Sequence, residues 1–215
     1  MKPDLTEERA LRAAGHLCVA GVDEAGRGAW AGPVCAAAVV LPLDRHDLPQ
    51  LLDGVCDSKL LSPARREELW PVIREVAQAV GVGWAAPAEV DALGIAPATR
   101  RAMARAVAGL ESGLESGLES GLTLLIDHVR LPEIDLPQRA LSKADARCLS
   151  VAAASIVAKV ERDCVMVALE RDFPGYGFAA HKGYGTPQHR VALECLGPTP
   201  IHRMSWRPLR DLAEA

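Results

Sequence analysis

Aromatic side chains are scarce. Four Trp, two Tyr and two Phe make up 4% of 215 residues, so Ala, Val and Leu must fill most of the core, which suits close packing of helices on a sheet. Long apolar runs are missing too: nothing approaches the ~18 residues of a membrane span. The first residues, MKPDLTEERALRAAGHL, carry acids and no continuous apolar segment of the secretory kind. A cytoplasmic location and no membrane partner are expected. Six cysteines, at 18, 35, 56, 148, 164 and 195, form no CxxC pair, and the chain is far longer than scaffolds that substitute disulfides for a core, so reduced thiols are expected. Excess positive charge is also lacking. The net charge is −4, which gives no global field toward nucleic acid, so any polyanion site has to be local. With 49% hydrophobic and 24% charged residues, neither disorder nor a fibrous repeat describes the whole, and the length fits one domain.

Residues 18–23 (CVAGVD) and 34–41 (VCAAAVVL) read as neighbouring buried strands joined by a Gly-rich loop. Ser62 and Pro63 open a helix with apolar Leu69, Ile73, Val76 and Val80 at helical spacing and Pro71 inside it. Residues 81–86 suggest a further strand and 97–110 a second helix. Residues 109–122, GLESGLESGLESGL, have a four-residue period. Such a period drifts about 40° per repeat around a helix, and each Gly costs about 1 kcal/mol relative to Ala, so a frayed helix end or loop insertion is expected. Residues 122–127 (LTLLID) return to a buried strand. From Cys148 to about Phe173 runs a helix whose first half is apolar nearly all round, and so packs against a sheet. The segment 179–210 sets Lys182, Arg190, Arg203, Arg207 and Arg210 against Glu194 alone, a local charge of 5 − 1 = +4.

Four acids stand at element edges: Asp23 and Glu24 at the end of the first strand, Asp127 at the end of LTLLID, and Asp145 before the long helix. Any one alone reads more readily as an exposed strand-end residue. Converging carboxylates resist joint ionisation, and divalent ions relieve that; oxygen-only ligation suits Mg²⁺ or Mn²⁺, and a pair of ions can activate water and stabilise a leaving oxygen. Adjacent side chains on a pleat point to opposite faces, so the strand is expected to break at Glu24, where Gly26 permits it. Gly26, Arg27 and Gly28 suit close approach of backbone N–H groups to a phosphate or sugar, or simply a tight turn with a solvated Arg27. The histidines show neither HExxH nor zinc-finger spacing, and Ser155 reads as a small packing residue, so neither a zinc site nor a serine nucleophile is expected.

GVDEAGRGAWAGPV, DSKLLS, LLIDHVRLP, KADARCLSVAAASIVAKVERDCVM and FPGYGFAAHKGYGTPQHR, five collinear blocks over about residues 18–208, resemble bacterial ribonuclease HII, a type 2 ribonuclease H. The resemblance implies an α/β ribonuclease H-like fold: a mixed five-stranded sheet flanked by helices, with a small helical C-terminal extension. Residues 1–215 would form a single catalytic domain, with an N-terminal extension at 1–16, the GLES insertion at 109–122 and a substrate-binding extension at about 174–215.

It further implies an endoribonuclease that cuts the RNA strand of RNA–DNA hybrids and nicks duplex DNA 5′ of embedded ribonucleotides, leaving 3′-hydroxyl and 5′-phosphate ends, in ribonucleotide and RNA-primer removal. Asp23, Glu24, Asp127 and Asp145 would hold two Mn²⁺ or Mg²⁺ ions, Asp23 bridging them and Asp145 placing the ion associated with the nucleophilic water. Gly26, Arg27 and Gly28 would sense the 2′-hydroxyl through backbone, Tyr184 would lie against the sugar at the RNA-to-DNA junction, and Ser58, Lys59 and Lys182 would contact phosphates. A monomer is expected. Two alternatives are a catalytically silent hybrid-binding module and a ribonuclease HIII-like enzyme, the latter disfavoured by a short N-terminal segment. His128 and Ala144 stand where the family usually has glycine; if either position needs positive φ, the side chain costs stability or shifts a ligand.

Overall fold

The computed structural model describes residues 2–110, 114 and 121–213. Most of the GLES repeat, and with it the expected frayed end or insertion, lies outside the described residues. Five strands, β1 (Cys18–Ala25), β2 (Val34–Val40), β3 (Ala79–Ala85), β4 (Leu122–Asp127) and β5 (Gln138–Leu141), form one sheet in the order β3-β2-β1-β4-β5. β1 and β2, like β2 and β3, are antiparallel, while β1–β4 and β4–β5 are parallel. The mixed five-stranded sheet with flanking helices is the expected fold class.

The first helices are α1 (Thr6–Ala13), α2 (Leu48–Leu51), α3 (Pro63–Val76), α4 (Pro87–Leu93) and α5 (Ile95–Ala108), followed by α6 (Leu149–Asp172). The sheet is buried on both faces, as the continuous apolar runs require. Ala20, Val22, Ala36 and Ala38 face α5, whereas Ala25, Cys35, Ala37 and Val39 face α3 and α6. Small residues let α6 lie almost on the strands: a Cβ at Gly21 would fall 2.2 Å from the carbonyl carbon of Ser150. Ser62 caps α3, its hydroxyl accepting from Arg65 N–H at 3.2 Å. That helix stops at Val76, not at Val80, because Ala79 and Val80 pair with β2 as the start of β3.

Sixteen residues from the N-terminus are more than an appendage. The Leu149 N–H donates to the Asp4 carbonyl and the Asp4 N–H to that of Arg147, and the Glu8 carboxylate, fully buried, accepts from the Ser150 N–H (2.9 Å) and hydroxyl (2.8 Å), which caps α6 from a distant part of the chain. At its other end α6 runs past the sheet. Its Met166 joins Tyr176, Phe178, Leu193 and Leu209 in a small separate cluster formed with α7 (Phe178–His181), α8 (Pro187–Leu196) and α9 (Arg207–Ala213).

Candidate active site

β1 and β4 run parallel with Val22 beside Ile126 as their last pair, so Asp127 ends β4 and Asp23 stands where β1 leaves β4 behind. Both follow positions facing α6: Val19 and Leu125 pack with Cys148 and Val151. One-turn helix Ala144–Ala146 precedes α6 and carries Asp145 toward the same end. Glu24 differs. β1 does not break there as expected but stays paired with β2 through Ala25. The pleat therefore turns Glu24 to the opposite face, where its carboxylate meets Arg27 at 3.2 Å.

Electrostatics bind the group. Burial pushes the Asp23 carboxyl well above its ordinary range, with Glu24, Asp127 and Asp145 adding to the rise, although its Oδ1 accepts the Glu24 N–H at 2.8 Å. Asp127 is raised by burial and by Asp145 despite the Ala144 N–H donating to its Oδ1 at 2.7 Å. Lys59 answers this charge. Its Nζ lies 3.2 Å from Asp145 and 3.8 Å from Asp57, and although burial lowers the ammonium's pKa, Asp23, Asp145 and Asp57 outweigh it and hold the group above its ordinary value. Among the described residues no three acid, His or Cys side chains stand close enough to form a ready-made metal cage. The carboxylates near Lys59 are hard-oxygen groups with surplus negative charge, the chemistry that would fit Mg²⁺ or Mn²⁺.

Lys59 is placed by the bonds that hold its neighbour Ser58. Ser155 on α6 is more than a packing residue: its hydroxyl accepts the Ser58 N–H at 3.2 Å. Arg66 donates to the Ser58 carbonyl at 2.8 Å. Ser58 is itself buried, so in this structure Lys59 rather than the Ser58 side chain faces outward.

The Gly26–Gly28 loop shows two kinds of glycine. Gly26 has φ +88°, and a Cβ there would lie 1.8 Å from Arg162 Nε, so the fold itself demands glycine. At Gly28 a Cβ would meet only the Tyr184 ring, at 4.0 Å. The loop and Tyr184 are thus neighbours across 156 residues, and space is left between them. Arg162 and Arg203, both fully buried, fix that neighbourhood. Arg162 donates to the carbonyls of Pro33, Lys182 and Ala31, and Arg203 to those of Gly32 and Arg27. Burial drives Arg203 down to about 9. Its burial also removes it from the expected surface patch of +4. Lys182 turns its Nζ onto the Ala179 carbonyl, while Arg162 and Lys159 lie 5.4 and 5.6 Å from the Tyr184 ring centre.

His128 has φ +63°, so in this chain a side chain stands on left-handed backbone at that position. At the other departure the left-handed residue is Lys143 (φ +55°), not Ala144.

Solved structures define the class. Ribonuclease H2 from Pyrococcus horikoshii OT3 matches with TM-score 0.73 and 28% identity over 92% of this chain and 97% of that one. Bst ribonuclease HIII, crystallised in complex with Mn²⁺, matches in fold with TM-score 0.67 and 21% identity over 95% of this chain and 72% of its own. The chain is an enzyme of the ribonuclease H type. The ribonuclease HII family profile matches residues 20–208, and ribonuclease HII of Roseiflexus castenholzii is 54% identical over 213 residues, 99% of this chain and 92% of that protein. The chain belongs to the ribonuclease HII family. That membership answers the ribonuclease HIII alternative.

Proposed function

We propose that this chain is an endoribonuclease that hydrolyses the RNA strand of RNA–DNA hybrids and nicks duplex DNA 5′ of embedded ribonucleotides, leaving 3′-hydroxyl and 5′-phosphate ends. The observation that carries it is the convergence of Asp23, Asp127 and Asp145 on the α6 side of two parallel strand ends, electrostatically coupled and answered by Lys59, in a chain of this family.

Asp23, Glu24, Asp127 and Asp145 would hold divalent cations, Mg²⁺ or Mn²⁺, which when bound supply electrostatic stabilisation to the phosphoryl-transfer transition state and make water a better nucleophile. Lys59 holds Asp145 in place and offers a cation to the substrate backbone. Arg27, paired with Glu24, orients that carboxylate. Gly28 needs no glycine for the protein's own packing, which supports a backbone that a ribose approaches closely; the 2′-hydroxyl is the group that separates RNA from DNA there. Tyr184, beside it, supplies an aromatic face and a hydroxyl for the sugar at the junction. Lys182 and the exposed arginines of the C-terminal helices would meet phosphates. Action in the cytoplasm as a monomer belongs to the same reading; no described helix is long and apolar enough to cross a membrane.

The test is cleavage of a duplex carrying one ribonucleotide, with Mg²⁺ and Mn²⁺ side by side. A nick 5′ of the ribonucleotide that depends on the cation is the expected result. Binding without a nick under either ion would establish a silent binding module instead.

A further inference from the structure

Three histidines outside the acidic site, His181, His189 and His202, are buried and lie directly behind Tyr184. Their tautomers follow from partners whose roles have no freedom. The Thr199 backbone N–H can only donate, and it reaches His202 Nδ1 at 2.9 Å, so the His202 proton sits on Nε2. That nitrogen is 3.0 Å from His189 Nε2. The Tyr184 carbonyl can only accept, and His189 Nδ1 lies 3.0 Å from it, so the His189 proton sits on Nδ1 and its Nε2 is free to accept. A one-way chain results: Thr199 N–H to His202, His202 to His189, His189 to the Tyr184 carbonyl. His181 closes the other flank, with Nδ1 accepting the Gly183 N–H at 3.2 Å and Nε2 donating to the Tyr176 carbonyl at 2.7 Å, while its ring stacks on His189 with centroids 4.5 Å apart. The Thr199 hydroxyl also meets His202 Nδ1, at 2.8 Å; each ring has one nitrogen that accepts and one that donates, which only neutral imidazoles allow. Burial agrees, drawing His189 and His202 down to about 4.

We propose that His189 and His202 are positioning residues for substrate discrimination: their directed hydrogen-bond chain sets the Tyr184 backbone so that its ring stands at a fixed separation from Gly28. The proposal rests on the reading of Tyr184 as a sugar contact. The other holds on this loop are Trp30 N–H to the Gly183 carbonyl at 2.8 Å, Tyr184 N–H to the His181 carbonyl at 3.0 Å and Thr186 N–H to the Tyr184 carbonyl at 2.8 Å; the first bears on a neighbouring peptide, the second fixes the N–H side of Tyr184, and the third shares its carbonyl with His189. Among the side chains of the described residues, His189 alone reaches the Tyr184 carbonyl itself and links it to α8.

Two near-isosteric variants separate the roles of the two ring nitrogens. Asn at 189 keeps a donor where Nδ1 stands, while Gln keeps a group where Nε2 stands. The readout is the ratio of kcat/KM for a duplex with one ribonucleotide to that for a uniform RNA–DNA hybrid, with thermal melts to establish folding. His189→Asn is expected to hold the ratio within about threefold, and His189→Gln to lower it about tenfold. In a Tyr184→Ala background the same His189→Gln change should alter the ratio little, because its effect passes through Tyr184. Equal ratios for the two single variants, or full additivity with Tyr184→Ala, overturn the positioning role. If Tyr184→Ala alone leaves the ratio unchanged, the reading of Tyr184 fails and the positioning role falls with it. On the unaltered protein, ¹⁵N spectra should show the proton on Nδ1 of His189 and on Nε2 of His202; the reverse arrangement overturns the chain whatever the variants do.

Discussion

Asp23→Asn should make the metal-free protein more stable while removing its activity. Asp23 is 4% exposed and shares its surroundings with three other carboxylates. Two carboxylates about 5 Å apart repel by about 3 kcal/mol at an effective dielectric of 20. Lys59 offsets part of this from its place beside Asp145, which leaves a relief of about 1–3 kcal/mol when the charge is removed. The amide keeps the oxygen that accepts the Glu24 N–H, so no backbone donor is orphaned. For a chain of this size the gain corresponds to a Tm rise of about 3–10 °C. Melts in EDTA should show it. Adding Mn²⁺ should reverse the order, since a cation at 100 times its Kd stabilises the unaltered protein by about 2.7 kcal/mol and the variant much less. Cleavage should fall about a thousandfold, the equivalent of about 4 kcal/mol of lost transition-state stabilisation. A variant no more stable than its parent in EDTA, or one cleaving within tenfold of it, would refute the assignment of Asp23 to a strained, ion-holding cluster.

His128→Gly should raise stability by about 0.5 kcal/mol, read as a higher urea midpoint at unchanged m, since relief of the left-handed backbone at φ +63° slightly exceeds glycine's entropy cost; His128→Val should lower it, and the opposite order would exclude strain there. Arg203→Met strands the Gly32 and Arg27 carbonyls and should cost about 2–4 kcal/mol in chemical denaturation, with Arg203→Lys giving little rescue because one ammonium cannot span both acceptors. His189 and His202 are held down at about 4 against about 6.5 in the unfolded chain. Over that window the unfolded state binds more protons, so stability is full above pH 6.5 and is lost as pH falls toward 4, with a slope approaching two protons. A flat urea midpoint between pH 6.5 and 4.5 would contradict it.

Much of the architecture was legible because apolar continuity survives any context. LTLLID is β4 to the residue, and the long apolar helix was misplaced by one residue at each end. What escaped notice lacks such a signal. β5, QRAL, is a polar four-residue edge strand defined by its neighbour. Val80 continued a helical spacing by coincidence, and only pairing with β2 decides that it is strand. Glu8 gives no local hint that it caps a helix 142 residues away.

The acids were legible as strand-end carboxylates, and parallel strands bring their ends together by topology. The error at Glu24 was to require one face for every acid. With β1 unbroken, a carboxylate on the α5 side can serve the same cluster only by reaching around the strand end, past which β1 has lost β4 as a neighbour. Arg27 meets it there. The arginines that hold the loop were invisible for a different reason: Arg162 and Arg203 look like surface charge in a one-dimensional pattern, yet each satisfies its guanidinium with backbone carbonyls of residues far off in sequence. A buried cation with no carboxylate partner costs stability; among the described residues Arg162 and Arg203 form no ion pair, and backbone carbonyls at and around the glycine loop take that role.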